Sequence, residues 1–207
     1  MSTSKNILVY ALVAALAAVA GLLVATQIGQ PRKPEQALVY ETARALPEFS
    51  LLDHRGQPFG PESLDGSWTL MFFGFTHCPD ICPTTLQSMT TAAKKLADLP
   101  EASRPSVVMV SIDPVRDTVT ALAEYVPYFN PDFVGVTGDM NEIQSLTRAI
   151  GVAYAYTPGP DSEGYTVEHT ASIFLLNPDG ELVAVFGTPH TVEGLVRDYR
   201  IIVGNQE

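Results

Sequence analysis

Two cysteines four positions apart carry the chemistry this sequence can do. Cys78 and Cys82 stand in Gly74-Phe-Thr-His-Cys-Pro-Asp-Ile-Cys-Pro83, and the chain has no others. Residues i and i+4 on a helical turn share a face, about 6 Å apart along the axis. That lies inside the roughly 4.4–6.8 Å Cα separation a disulfide tolerates, and it also lets both sulfurs converge on one soft metal ion. A helix starting at the pair aims its unpaired N–H groups and positive dipole end at the thiols, which favours thiolate. Three chemistries are open: a structural disulfide, a redox couple and a metal site. A four-residue loop contributes little chain entropy as a staple, which turns the reading toward metal or redox chemistry.

A metal site needs a third donor, and the chain has four histidines. His54 sits in an early polar turn and reads as solvated surface. His77 adjoins Cys78, but neighbouring side chains on an extended segment diverge. His190, in Thr188-Pro-His-Thr191, reads as a loop residue ahead of the last helix. His169 stands apart, in Val167-Glu-His-Thr-Ala-Ser-Ile-Phe-Leu-Leu176, just before a strongly apolar strand. Two thiolates and one imidazole form a soft, low-coordinate set. It suits Cu(I), and Cu(II) with a fourth oxygen donor, whereas zinc would want a fourth ligand that is not visible.

The elements around these residues follow from periodicity. Phe49 to Leu52 predicts a short strand turned by Asp53-His-Arg-Gly56. Ser67 to Phe75 predicts a buried strand, and Thr84 to Leu99 a helix stopped by Pro100. Ser106 to Ile112 is a second buried strand. Val119 to Phe129 is a helix, Phe133 to Thr137 a strand, and Met140 to Ile150 a helix ended by Gly151. Val152 to Tyr156 reads as a strand and Pro158 to Tyr165 as a loop. Thr170 to Leu176 and Glu181 to Phe186 are strands joined by Asn177-Pro-Asp-Gly180, and Thr191 to Val203 is a closing helix. Helices alternate with buried strands, and a hairpin comes late. The pattern predicts an α/β, thioredoxin-like fold: a central mixed sheet with helices on both faces. In such a sheet the start of the late strand lies beside the cysteine loop, which makes His169 the candidate third donor. A thioredoxin-type redox motif has two residues between its cysteines. This chain has three, and the wider loop leaves room for an ion.

The rest of the chain bounds location and partners. Its 207 residues fit one domain plus an appendage. Ile7 to Ala25 is apolar and uncharged, and its nineteen residues at about 1.5 Å each give roughly 28 Å, near the hydrocarbon thickness of a bilayer. Residues 1–29 read as an uncleaved transmembrane signal-anchor rather than a cleaved signal, 30–45 as a polar tether, and 46–207 as the folded domain. The net charge of −11 argues against nucleic acid and anionic lipid surfaces as partners. An exported cysteine pair makes sense as a redox or metal site. The expected location is the inner (cytoplasmic) membrane, single-pass, with the domain facing the periplasm.

Gly74-Phe-Thr-His-Cys-Pro-Asp-Ile-Cys-Pro-Thr-Thr-Leu86 resembles the signature of the Sco/SenC family of copper proteins. Val110-Ser-Ile-Asp-Pro-Val-Arg-Asp-Thr118 and His169-Thr-Ala-Ser-Ile-Phe-Leu-Leu-Asn-Pro-Asp-Gly180 resemble two further family segments, in the family's order. The resemblance spans most of Leu46 to Val203. It implies a membrane-tethered, thioredoxin-like metallochaperone that helps assemble the dinuclear copper centre of cytochrome c oxidase. Its ligands would be Cys78, Cys82 and His169, and its partners the copper-site subunit of that oxidase and other copper carriers. Asp113 matches an acidic family position; on the residues alone it reads as a cap of the following segment, where Asp117 and Thr118 also favour a helix start.

A second reading is a thiol–disulfide oxidoreductase that reduces the acceptor's cysteines, with Cys78 as the exposed nucleophile and Cys82 resolving. His169 separates the two readings, because a pure oxidoreductase has no use for it and usually carries a proline before the corresponding strand. Here that place holds Glu168-His-Thr-Ala171. A peroxiredoxin is a third reading, but Pro79 stands three before Cys82 where a threonine is expected. A copper or redox sensor would use the same residues.

Overall fold

The structure, a computed structural model, describes residues 3–28, 33–158 and 164–205. It divides into two units, Met1–Lys33 and Pro34–Glu207. The first unit holds α1 (Thr3–Ile28), and the expected span Ile7–Ala25 falls inside it. The described side chains of α1, residues 7, 10 and 11–22, are exposed. Among the described residues no helix is long and apolar enough to cross a membrane.

In the second unit the order is β1 (Ala37–Arg44), β2 (Leu51–Asp53), β3 (Pro58–Phe59), β4 (Thr69–Gly74), α2 (Ile81–Leu96), β5 (Ser106–Ser111), α3 (Val119–Phe129), β6 (Val134–Thr137), α4 (Met140–Ile150), β7 (Tyr154–Pro158), β8 (Tyr165–His169), β9 (Ile173–Leu176), β10 (Leu182–Phe186) and α5 (Val192–Gly204). An eight-stranded mixed sheet runs β1-β10-β9-β4-β5-β6-β2-β3, and β7 and β8 form a separate two-stranded sheet. The α/β, thioredoxin-like architecture expected from the strand–helix alternation is what the chain adopts.

Strand β4 lies at the centre. All six of its residues are buried, so both faces are covered, which is why its sequence is continuously apolar rather than alternating. It runs parallel to β5, with Thr69 opposite Ser106, and antiparallel to β9, with Phe72 opposite Ile173. The antiparallel register brings the entrance to β9 alongside the exit of β4. The exit of β4 leads into the cysteines, and the entrance to β9 follows His169. Helix α2 buries Leu86, Met89 and Leu96 on one side, the amphipathic face expected of it. Helix α4 ends at Gly151, whose φ of 92° is a left-handed conformation that costs other residues a Cβ clash.

Two expectations need correction. The segment 30–45 is not simply a tether, because β1 is the outermost strand of the sheet, with Ala37 opposite Phe186 of β10. The backbone N–H groups of Glu35, Gln36 and Ala37 all donate to the buried Asp198 carboxylate of α5. The folded unit therefore begins at Pro34 rather than Leu46. An edge strand is half solvated, so β1 shows no clean two-residue burial period, and its partners are far away in sequence. Second, the sequence reads as loop and lead-in over Tyr165–His169, whereas these residues form β8, paired to β7. Residues 159–163 of the expected Pro158 to Tyr165 loop lie outside the described residues.

Candidate metal centre

The loop after β4 and the first turn of α2 position the two thiols. The Asp80 side chain at the N-cap of α2 makes no capping hydrogen bond. Instead the Cys82 N–H donates to Cys78 Sγ at 3.5 Å, so the sulfur occupies the place of a capping oxygen. A helix N-terminus stabilises negative charge at that point. Cys78 is half-buried and Cys82 fully buried, and both are free thiols. On the other side of the loop, buried Asp117 accepts from the Thr76 N–H at 3.0 Å and from Thr76 Oγ1 at 2.6 Å. It also accepts from Ser111 Oγ at 2.6 Å. The cysteine loop is thus tied to the segment after β5.

His169, the last residue of β8, closes the site. Its Nε2 lies 3.5 Å from Cys82 Sγ, and its Nδ1 lies 3.0 Å from the Thr170 carbonyl oxygen. A carbonyl only accepts, so Nδ1 carries the proton there and Nε2 presents its lone pair to the sulfurs. The ring meets Phe72 and Phe75 edge-on, with centroids 6.1 and 6.0 Å away. These aromatic walls limit the directions it can take. Among the described residues, Cys78, Cys82 and His169 form a cluster whose ligand atoms all lie within 4.8 Å of one another.

The two thiols divide one proton unequally. A hydrogen bond from Cys82 lowers the Cys78 thiol most; burial acts against it, and the N–H groups of Asp80 and Cys82 add to the lowering, to about 3. Cys82 moves the other way, pushed up by its bond to Cys78 and by burial. The metal-free pair is therefore one thiolate at the accessible position and one thiol behind it.

The other histidines stay outside the cluster. His54, expected on the solvated surface, is half-buried and accepts the Gly135 N–H at 3.1 Å. His77 is exposed, with Nδ1 3.0 Å from Thr76 Oγ1. His190 lies 2.6 Å from the Ala171 carbonyl, bracing the segment between His169 and β9. Asp113, expected from the sequence to be a cap, does not cap α3; Thr118 does, accepting from the Ala121 N–H. Asp113 is buried and takes hydrogen bonds from Arg116 and from Tyr165 Oη. Sequence reasoning passes over Arg116, Tyr165, Thr76 and Tyr125. Among the described residues the buried Tyr125 hydroxyl has no hydrogen-bond partner. Burial, then the charges of Cys82, Cys78 and Asp117, push its phenol up.

The donor set is soft and three-membered, which fits copper better than zinc. The sequence profile of the SCO1/SenC family matches residues 39–204, which include all three donors. The chain belongs to the SCO1/SenC family. It is 40% identical over 153 residues to the mitochondrial SCO2 homolog of Mus musculus, covering 74% of this chain and 60% of that protein. It thus spans less than two thirds of that relative's length. It is 38% identical over 172 residues to a putative copper-binding protein of Stutzerimonas stutzeri, covering 82% of each. Among solved structures, Arabidopsis thaliana ScoI with copper bound superposes with a TM-score of 0.71 at 35% identity. The match covers 78% of this chain and 98% of that one. The family's fold is the one described above.

Proposed function

We propose that this SCO1/SenC member binds copper through Cys78 Sγ, Cys82 Sγ and His169 Nε2 and delivers it to the dinuclear copper centre of cytochrome c oxidase. The observation that carries the reading is the convergence of three soft or borderline donors within 4.8 Å. The relatives described as copper-binding or copper-bound support it. Two thiolates suffice for Cu(I), and the imidazole adds the donor that Cu(II) prefers. Half-buried Cys78 leaves one side open, so an incoming ligand can displace the chain's donors one at a time. The transferred ion is the cargo, and the acceptor is a copper-site subunit.

The apolar run Ile7–Ala25 is proposed as a single-pass anchor in the inner membrane, with the Pro34–Glu207 unit facing the periplasm. The support is the uncharged length of that run and the oxidising compartment that exported thiols imply. The test is titration of the purified chain with Cu(I) and Cu(II). One ion per chain is expected, and Cu(II) binding should collapse in His169→Ala. Copper held equally well without the imidazole refutes the ligand set.

One observation favours a second activity, reduction of a partner disulfide. Cys78 is the accessible thiolate and Cys82 the buried thiol. Cys78 would attack the acceptor disulfide, forming a mixed disulfide and expelling one acceptor thiolate. Cys82 would then lose its proton and displace the second thiolate, leaving the acceptor as a dithiol and this chain oxidised. A dithiol donor would restore the pair. Turnover of an oxidised peptide carrying the cysteine pair of an oxidase copper site, followed without copper, separates this reading from carriage alone.

A further inference from the structure

The segment Asp113-Pro-Val-Arg-Asp117, between β5 and α3, touches both halves of the metal cluster. Toward the thiols, buried Asp117 holds the backbone and hydroxyl of Thr76, two residues before Cys78. Toward the imidazole, Arg116 and Asp113 hold Tyr165, the first residue of the strand that ends in His169. Arg116 Nη1 donates to the Tyr165 carbonyl at 3.0 Å. Its guanidinium carbon lies 3.9 Å from the centroid of the Tyr165 ring. Tyr165 Oη donates to Asp113 Oδ1 at 2.7 Å, and Arg116 pairs with the other Asp113 oxygen.

The two grips differ in kind. The cysteine loop follows directly from a central strand of the main sheet. Among the described residues the β7–β8 hairpin forms strand pairs only within itself, so other contacts must place it. Toward its His169 end these include the reciprocal bonds of Thr170 and Ala153, the Tyr154 hydroxyl on Met140 Sδ at 3.5 Å, buried Val167 in the core and the short segment into β9. At its other end the described polar contacts are the Arg116–Asp113 pair on Tyr165 and the Tyr156 hydroxyl on the Ile112 carbonyl. Arg116 keeps 24% of its side chain exposed, whereas Asp113 and Asp117 keep none. Arg116 is thus partly exposed as a side chain, although its guanidinium Nη2 is itself buried.

Resting on the copper reading above, we propose that Arg116 is a positioning residue. Its clamp on Tyr165 sets the height of the β7–β8 hairpin, and hence whether the site presents three donors or two. With the clamp closed, His169 Nε2 faces the sulfurs. With it open, the imidazole withdraws while the thiols, tied down separately through Asp117, keep their place. The clamp therefore weighs differently on the two copper states: Cu(II) depends on the imidazole, whereas the two thiolates suffice to keep Cu(I) when the ring withdraws.

Two variants test this in the full chain: Arg116→Gln, and Tyr165→Leu, which loosens the hairpin while leaving the Arg116–Asp113 pair intact. Metal-free protein is followed by amide hydrogen exchange, and copper binding by competition titration and electron paramagnetic resonance. Exchange in residues 165–169 should quicken at least about tenfold, with β4 and β5 unchanged. Cu(II) affinity should fall about 10–100-fold, the range seen for groups that orient a ligand. Nitrogen coupling in the Cu(II) spectrum should weaken, and Cu(I) affinity should hold. Arg116→Lys, which keeps the charge but not the planar fork, should restore part of the Cu(II) affinity. Unchanged exchange in both variants, or equal losses of Cu(I) and Cu(II), overturns the proposal. If His169→Ala leaves Cu(II) binding intact, the ligand assignment fails instead, and the exchange measurement on metal-free protein still decides the clamp.

Discussion

His169 Nε2 lies 3.5 Å from Cys82 Sγ, although the two residues are 87 positions apart in the chain. The contact exists because β9 runs antiparallel to β4 with Phe72 opposite Ile173. The residues just before β9 must therefore lie beside the residues just after β4. The imidazole tautomer is set by the Thr170 carbonyl at Nδ1, so the lone pair at Nε2 points where the sulfurs are.

Removing the imidazole should separate the two copper states. Mutation of groups that merely orient a metal ligand costs about 10–100-fold in affinity. Loss of the ligand itself in His169→Ala is expected to exceed about 100-fold for Cu(II), while Cu(I) binding and disulfide formation between Cys78 and Cys82 persist. Parallel titrations with each oxidation state check this, and an equal loss for both would contradict it.

The unequal thiols predict an unusual pH profile for the metal-free, reduced protein. Cys78 is held at about 3, so it is already thiolate throughout the range from mild acid to neutrality. Its alkylation rate should be nearly flat between about pH 5 and 8, where a free thiol with a pKa near 8.5 gains about tenfold per pH unit. Because the Cys82 hydrogen bond is the largest cause of the lowering, Cys82→Ala should raise the Cys78 pKa and restore a rising profile. Mass spectrometry after timed alkylation identifies the modified residue. A steep profile in the unmutated protein would refute the assignment.

Asp198 should make the domain acid-sensitive through its N-terminal edge. The carboxylate is fully buried and accepts three backbone N–H bonds, at 2.9, 2.6 and 2.9 Å. Burial pushes its pKa up, but the Arg197 side chain and those N–H groups outweigh it and hold it below the usual carboxylate value. A carboxyl with a depressed folded pKa contributes stability that is fully present above its unfolded pKa, near 3.9. That stability is lost as pH falls through the folded value. Asp198→Asn should cost about 2–3 kcal/mol at neutral pH, the range for losing hydrogen bonds to a charged acceptor. It should also flatten the dependence of stability on pH below about 4. Denaturant unfolding at several pH values tests both, and parallel acid limbs in the two proteins would contradict the assignment.

Gly74 should tolerate no side chain. A Cβ there would meet the Phe72 ring at 2.7 Å and Cys82 Sγ at 2.9 Å. Both neighbours are buried in the core, so neither has room to retreat. Gly74→Ala is expected to destabilise the domain by about 1–3 kcal/mol, as overpacking does, and to weaken copper binding by displacing the Cys82 sulfur. Thermal unfolding and Cu(I) competition measure the two effects. A variant as stable as the parent would show that the sulfur moves freely.

The legible parts of the fold are those with strong local signals. The continuous apolar run of β4 and the bounds Val119–Phe129 and Met140–Ile150 for α3 and α4 are readable because burial on one or both faces leaves a fixed period. Strand β1 is not, because an edge strand half in water carries no such period and its partner β10 lies at the other end of the chain. The β7–β8 hairpin escapes for a related reason: its residues mix exposed and half-buried positions with a single buried one, Val167, and its clamp is made by Arg116 and Asp113. Those two residues lie within a recognisable motif, but nothing in the motif says which strand they grip.

The sequence by itself determined the chemical vocabulary: two thiols at a helix start, an apolar core of alternating strands and helices, and a small set of imidazoles able to complete a soft site. These are local properties, decided by residue type and spacing. The tertiary structure decided how closely His169, already singled out by its place before the late strand, meets the sulfurs, how the shared proton is divided, and that one segment after β5 holds both arms of the site. Strand order and register create those contacts, and neither is encoded in any short stretch of the chain.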